Sequence, residues 1–95
     1  MITFDDFQAR VGQEFQAATE AGPVTMQLTE CQTLTPNGDA NSFSLTFTSA
    51  TDTPIGQGSY HLSAAGFGPE LIFLVPTGVD AGGKHYQALF HRLPD

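Results

Sequence analysis

The stretch ELIFLVPTGVDAGGKHYQALF, residues 70–90, decides the fold of this chain because it contains two apolar runs joined by a loop rich in glycine and aspartate. Successive side chains of a β-strand point to opposite faces, and both runs are long enough to form a strand. The residues between them are typical of a turn that returns the chain antiparallel to itself. The sequence therefore predicts a β-hairpin at residues 70–90, around which the remaining segments are organised.

Alternate positions divide the hairpin into two apolar faces. We expect the first face to be interior, and its members are Leu71, Phe73, Val75, Tyr86, Ala88 and Phe90. The second face contains Ile72, Leu74 and Leu89. A strand that is apolar on both faces is covered on its second face either by its own domain or by a partner. Both alternatives stay open at this point, and the second makes Ile72, Leu74 and Leu89 an interface with another copy or another protein.

Four segments before the hairpin also alternate between apolar and polar residues, at residues 14–19, 24–33, 43–47 and 58–64. Such period-two patterns are typical of half-buried strands. In the second segment, Glu30 falls on an apolar position and Cys31 on a polar one, which predicts a β-bulge near Thr29–Cys31. The pattern predicts a mainly β fold, an antiparallel barrel or sandwich of about six strands.

A short helix is predicted before the first strand. Phe4, Phe7 and Val11 recur at helical spacing, and Gly12 is placed to end the helix in a left-handed conformation. A stripe at this spacing usually faces the core of its own domain, so we expect the helix to close one end of the barrel. The alternative is an amphipathic helix that binds a partner.

Length and charge limit the classes of function. The chain has 95 residues, which predicts a single domain over residues 1–95. Its formal charge is −7, and its three basic residues are scattered, so we expect no binding to nucleic acid or to an anionic membrane. We find neither a signal-peptide pattern nor an apolar run long enough to cross a bilayer. The sequence predicts a soluble, cytoplasmic protein.

The residues that usually carry catalysis or bind metals are few. Cys31 is the single cysteine, so an internal disulfide is ruled out, and a buried, unreactive thiol is expected. His85 and His91 lie about 20 Å apart along one strand and cannot share a zinc ion. The acidic residue of the hairpin loop, Asp80, does not supply the several oxygen ligands that calcium needs. We therefore expect no metal, no cofactor and no enzymatic activity.

Several segments together resemble an uncharacterised family of small acidic bacterial proteins. The family pattern is Q-G-x-Y-x-L, then F-L-V-P-x-G-x-D-x-x-G-x-x-Y-x-A-x-F-N, and it begins here at Gln57 and Phe73. An opening D-F-x-x-x-V-G-x-x-F also matches, from Asp6 to Phe15. The chain departs from the pattern at His91, where the family usually has asparagine. The resemblance supplies no catalytic residue or cofactor, and implies an accessory role in a phage-tail-like assembly.

Two functions follow as hypotheses. The first is a non-enzymatic structural or protein-interaction module that uses the second hairpin face or the loop at residues 77–84. The second is a barrel that binds a small ligand, with at most weak hydrolytic activity, at a mouth formed by Tyr60, His61, His85 and Tyr86. We favour the first because small barrels normally fill their interiors with side chains.

Overall fold

The computed structural model describes residues 4–20, 22–34, 42–50 and 56–91. It contains α1 (Phe4–Gln8), β1 (Glu14–Thr19), β2 (Gly22–Thr33), β3 (Ser42–Ser49), β4 (Gly58–Ala64), β5 (Phe67–Asp80) and β6 (Gly83–His91). The strands are antiparallel and close into a barrel in the order β1-β2-β3-β6-β5-β4. The predicted mainly β fold with one short N-terminal helix is confirmed, and its architecture is a barrel.

Alternating side chains fill the interior of the barrel. The pattern is clearest in β3, where every second side chain is buried and those between are half-buried. A small barrel of this kind encloses just enough space for side chains to fill. The buried apolar residues are Phe7, Phe15, Ala17, Met26, Leu28, Phe43, Leu45, Phe47, Leu62, Phe67, Ile72, Leu74, Tyr86 and Ala88.

Helix α1 closes one end of the barrel, as predicted. Phe7 is fully buried, and its ring centroid lies 5.9 Å from that of Phe43, 5.2 Å from Phe67 and 5.6 Å from Phe90. Val11 was expected on the same apolar face of the helix as Phe4 and Phe7, but it lies beyond the last helical residue and is 43% exposed. Within the described residues, we find no helix whose length and hydropathy would let it cross a membrane.

Arg10 holds α1 in place against the barrel. Its Nη1 donates to the Asp6 carbonyl at 2.8 Å, and its Nη2 donates to the Gly66 carbonyl at 3.0 Å, in the turn between β4 and β5. The guanidinium also lies over the Phe67 ring, 5.2 Å from its centroid. One cation therefore joins the helix, the β4–β5 turn and the first residue of β5.

The predicted bulge in β2 is confirmed. The register between β2 and β3 shifts between Leu28 and Glu30, so one extra residue is accommodated there. After the shift, Cys31 pairs with Leu45 and therefore faces the core side of the sheet, while Glu30 pairs with Thr46. The bulge thus keeps the carboxylate of Glu30 out of the core.

The predicted orientation of β5 is wrong. Ile72 and Leu74 are buried, at 2% and 0% exposure, whereas Leu71 and Phe73 are 59% and 51% exposed. Val75, also expected inside, is half-buried. The face that we expected to be interior is the outer one on this strand, although Tyr86 and Ala88 on β6 are buried as predicted.

A second bulge causes this inversion. From the turn, Asp80 pairs with Gly83 and Gly78 pairs with His85, but the next pair is Pro76 with Tyr86, so Thr77 is an extra residue on β5. Directly paired residues lie on the same face of a sheet, and one inserted residue moves all earlier side chains to the other face. Because Tyr86 is in the core, Pro76 and the alternate residues before it face the core as well.

Candidate functional site

The outer face of β5 and β6 carries an apolar surface, which we call the β5–β6 stripe and define by Leu71, Phe73 and Leu89. All three side chains are more than half exposed. Val75 with Gln87 is the last pair between β5 and β6, and Phe73 and Leu89 are the outer positions that follow it on each strand. The three side chains therefore belong to adjacent strands of one surface. Singly exposed apolar residues are common, but a group of them on one face indicates a contact surface.

Among the described residues, the cross-strand neighbours of the stripe carry no carboxylate, lysine or arginine. On β4, Ser59 pairs with Phe73 and His61 pairs with Leu71. On β3, Ser44 pairs with Leu89, and on β6 the next outer residue is Gln87. Glu70 precedes Leu71 in sequence but pairs with Leu62, whose side chain is in the core. Glu70 therefore lies on the opposite face of the sheet from the stripe. These described neighbours therefore contribute nothing to the formal charge of −7 that the chain carries.

The other end of the same outer face carries a polar network centred on His85. Its Nδ1 lies 2.9 Å from Thr48 Oγ1, and its Nε2 lies 3.0 Å from Asp80 Oδ1. The Gly82 amide donates to the same Asp80 oxygen at 2.8 Å. The hydrogen bond from His85, reinforced by that of Gly82, holds the pKa of Asp80 below its ordinary value.

Thr48, His85 and Asp80 thus form a hydrogen-bonded chain of hydroxyl, imidazole and carboxylate, the arrangement that activates the nucleophile in some hydrolases. Here the Asp80 side chain is 65% exposed, so water screens its interaction with His85. Thr48 Oγ1 also lies 3.4 Å from Thr29 Oγ1, and the Thr77 hydroxyl donates to the His85 carbonyl at 3.4 Å. The hydrogen bonds therefore join β2, β3, β5 and β6, which fixes the tip of the hairpin and the bulge at Thr77.

The predicted interface is brought together only in part. Leu89 is exposed, as its prediction requires, whereas Ile72 and Leu74 are in the core and cannot contact a partner. Leu71 and Phe73 lie on the outer surface instead, although the alternation of the hairpin residues predicted them to be interior. The signal that could have identified them is the Pro76-Thr77-Gly78 segment, because proline within a strand is found mainly at edges and bulges.

The predicted ligand mouth does not form. Tyr86 is buried, Tyr60 packs against the core and donates to the Gly56 carbonyl at 2.9 Å, and His61 and His85 lie on the outer surface. In the barrel, β5 lies between β4 and β6, so Tyr60 and His61 stand on a strand that does not pair with the strand of His85 and Tyr86. A surface depression of about 430 Å³ opens beside the His85 network, with which it shares Thr48 and Gly82. Its lining residues are Glu14, Thr25, Met26, Gln27, Thr48, Ser49, Ala50 and Gly82.

Cys31 is half-buried rather than fully buried as predicted, and its surroundings do not favour a reactive thiol. Burial raises its pKa to about 11, and its Sγ lies 4.0 Å from the Phe4 carbonyl oxygen beneath α1. A thiol with a raised pKa is a poor nucleophile at neutral pH because the thiolate is the reactive form. Within the described ranges, we find no group of three or more His, Cys, Asp or Glu side chains placed to hold a metal ion.

Comparison with known protein families identifies a family for this chain. The family model described as "Domain of unknown function (DUF6916)" matches residues 2–90. Searches of curated proteins and of solved structures returned no match to this chain.

Proposed function

We propose that this chain, which belongs to the DUF6916 family, a domain of unknown function, is a non-enzymatic protein-interaction module. It binds its partner through the β5–β6 stripe. The prediction that the chain is a member of an uncharacterised family is confirmed by this match. The observation that carries the proposal is the placement of three large apolar side chains, each more than half exposed, on adjacent strands of one outer face.

The position of these side chains supports binding rather than folding. The barrel interior is filled by the alternate residues of the same strands, including Ile72, Leu74 and Ala88, so the domain does not need the stripe for its core. An exposed phenylalanine beside two leucines offers the apolar and aromatic contact that is concentrated at the centres of protein interfaces. The described neighbours of the stripe supply hydroxyl, amide and imidazole groups for hydrogen bonds at the rim.

The network at His85 supports the same proposal by fixing the surface. It ties the hairpin tip to β3 and holds the bulge whose extra residue, Thr77, turns Leu71 and Phe73 outward. A preformed surface loses less conformational entropy when a partner binds. The accessory role in a phage-tail-like assembly, which the family resemblance implies, is a proposal of the same class and would use the same surface.

A comparative capture experiment tests the proposal. The wild-type domain, Phe73→Asp and Val79→Asp are immobilised, and the proteins retained from cells that express the domain are quantified by mass spectrometry. Val79 is a matched control because it is 59% exposed but lies next to the hairpin turn, away from the stripe. We expect proteins retained by wild type and Val79→Asp to be lost from Phe73→Asp. Identical sets for all three proteins would refute the proposal.

A further inference from the structure

We infer that the surface depression beside the His85 network binds an organic cation, a guanidinium or alkylammonium group. The depression has a volume of about 430 Å³, which suits a small ligand or a single side chain. It is formed by β1, β2, β3 and the β5–β6 turn, and none of its described lining residues belongs to the β5–β6 stripe. The inference therefore goes beyond the proposed function and does not depend on it.

Three lining residues belong to one row of polar side chains on the outer face of the barrel. Glu14 pairs directly with Gln27, and Gln27 pairs with Thr48. Thr48 pairs in turn with His85. Directly paired residues lie on the same face of a sheet, and neighbouring strands are about 4.8 Å apart, so the first three groups span about 10 Å. Their carboxylate, amide and hydroxyl can therefore contact one small ligand.

The His85 network fixes the direction of the Thr48 hydroxyl. An ionised carboxylate only accepts hydrogen bonds, so His85 Nε2 donates to Asp80 Oδ1 at 3.0 Å. A neutral imidazole carries hydrogen on one nitrogen, which leaves Nδ1 of His85 as an acceptor. The Thr48 hydroxyl, 2.9 Å from this Nδ1, therefore donates to His85 and presents lone pairs to the depression that it lines.

Two more side chains of the lining also use donors within the protein. The Thr25 hydroxyl donates to Gln16 Oε1 at 3.1 Å, and Gln27 Nε2 donates to the Gly12 carbonyl at 3.0 Å. The hydroxyl oxygen of Thr25 and the amide oxygen of Gln27 remain as acceptors, and Glu14 adds a carboxylate. The lining thus offers mainly acceptors, which match a ligand rich in N–H donors and oppose an anion.

The charge of the lining selects a cation among such ligands. Among the described residues that line the depression, Glu14 is the charged one, and it is exposed to solvent. Lys84, which follows the β5–β6 turn, has its Nζ 5.4 Å from the centroid of the Tyr86 ring. The formal charge of −7 also attracts cations to the chain and repels anions. A guanidinium or alkylammonium group supplies both the N–H donors and the positive charge.

A titration followed by NMR tests the inference. The ¹⁵N-labelled chain is titrated with butylguanidinium, and with butanol and butyrate as neutral and anionic counterparts, at about pH 7.5, where imidazole side chains are usually neutral. We expect butylguanidinium to shift the amide resonances of Thr25, Gln27 and Thr48 with a dissociation constant of about 1–10 mM, because one exposed ion pair contributes little. No shift with butylguanidinium, or equal shifts with butanol or butyrate, would overturn the inference.

Two matched variants locate the charge that binds the ligand. Glu14→Gln and Glu30→Gln each remove one exposed carboxylate, but only Glu14 lines the depression. We expect Glu14→Gln to weaken the binding of butylguanidinium about fivefold and Glu30→Gln to leave it unchanged. Circular dichroism checks that both variants are folded. Equal effects would overturn the inference, because they would assign the binding to the net charge of the chain and not to this site.

A further titration distinguishes two sources of the cation. A tripeptide with a central arginine and blocked ends is compared with butylguanidinium. Tighter binding of the peptide would support the site and assign it to an arginine side chain of a partner protein. Tighter binding of butylguanidinium would support the site and assign it to a free small molecule. Binding of either probe that is unaffected by Glu14→Gln would overturn the inference.

Discussion

Truncating Leu74 to alanine is expected to destabilise the domain far more than truncating Leu71, although both leucines lie on β5 three positions apart. Leu74 is 0% exposed and Leu71 is 59% exposed. Full burial of a leucine side chain stabilises by about 1.5–3 kcal/mol, and its removal from a packed core also leaves a cavity, so Leu74→Ala should lower the free energy of unfolding by about 2–5 kcal/mol. Leu71 keeps most of its surface in water, and Leu71→Ala should cost about 1 kcal/mol or less.

Urea and thermal unfolding of the two variants and wild type measure this difference. The chain has no tryptophan, so far-ultraviolet circular dichroism is the practical signal. Each kcal/mol shifts the melting temperature of a domain of this size by about 4–8 °C, so the Leu74 variant should melt at least about 8 °C below wild type. Equal losses in the two variants, or a larger loss for Leu71→Ala, would refute the orientation assigned to β5.

Three further predictions concern the hairpin and its turn. Deleting Thr77 removes the extra residue of β5, so that this strand must either expose its core face or break its pairing with β6. We expect the free energy of unfolding in urea to fall by about 3–6 kcal/mol. An unchanged unfolding midpoint would contradict the bulge. The pKa of Asp80 is lowered in the folded state by its hydrogen bond with His85, so its contribution is present above the unfolded pKa and is lost as pH falls through the folded one. The stability difference between wild type and Asp80→Asn should therefore shrink below about pH 4, and a difference that grows in acid would contradict it. Gly83 has a φ of +132°, and a Cβ at this position would overlap the Ser49 carbonyl oxygen. Gly83→Ala should therefore lower the free energy of unfolding, measured by thermal denaturation, by about 1–3 kcal/mol. An unchanged stability would show that the turn is not constrained.

The strands and the helix could be predicted because their patterns are one-sided. In β3, Phe43 and Phe47 alternate with hydroxyl residues, so only one face can be interior. The bulge in β2 was predictable for the same reason: Glu30 on an apolar position is a visible conflict between the sequence pattern and the core. Where the two faces of a strand differ in polarity, register follows from the residues alone.

The orientation of β5 could not be predicted because both of its faces are apolar. Leu71 and Phe73 would fill a core as well as Ile72 and Leu74 do, so the shift at Thr77 creates no conflict that the residues reveal. Parity counted from the turn then gave the wrong face. Of the three residues predicted to form an exposed apolar face on this hairpin, Leu89 is exposed, whereas Ile72 and Leu74 lie in the core.

The residues predicted for the ligand mouth stand on strands that do not pair, for a different reason. Its four residues were predicted to ring the mouth of a barrel before the order of the strands was known. The order of strands around the barrel depends on which edges pair, and β5 lies between β4 and β6. Alternation in the sequence does not encode the order of the strands, so the placement of Tyr60 and Tyr86 on strands that do not pair could be known only from the structure.

Thiol accessibility along β5 tests the central claim most directly, which is that the bulge turns Leu71 and Phe73 to the outer surface. Single cysteines are introduced as Leu71→Cys, Ile72→Cys, Phe73→Cys and Leu74→Cys in a chain that carries Cys31→Ser, and their labelling rates with a maleimide are measured under native conditions. We expect the cysteines at the two odd-numbered positions to react at the rate of an exposed thiol, and those at the two even-numbered positions to react about 100-fold more slowly, through local opening. Fast labelling at the even-numbered positions with protection at the odd-numbered ones would contradict the account.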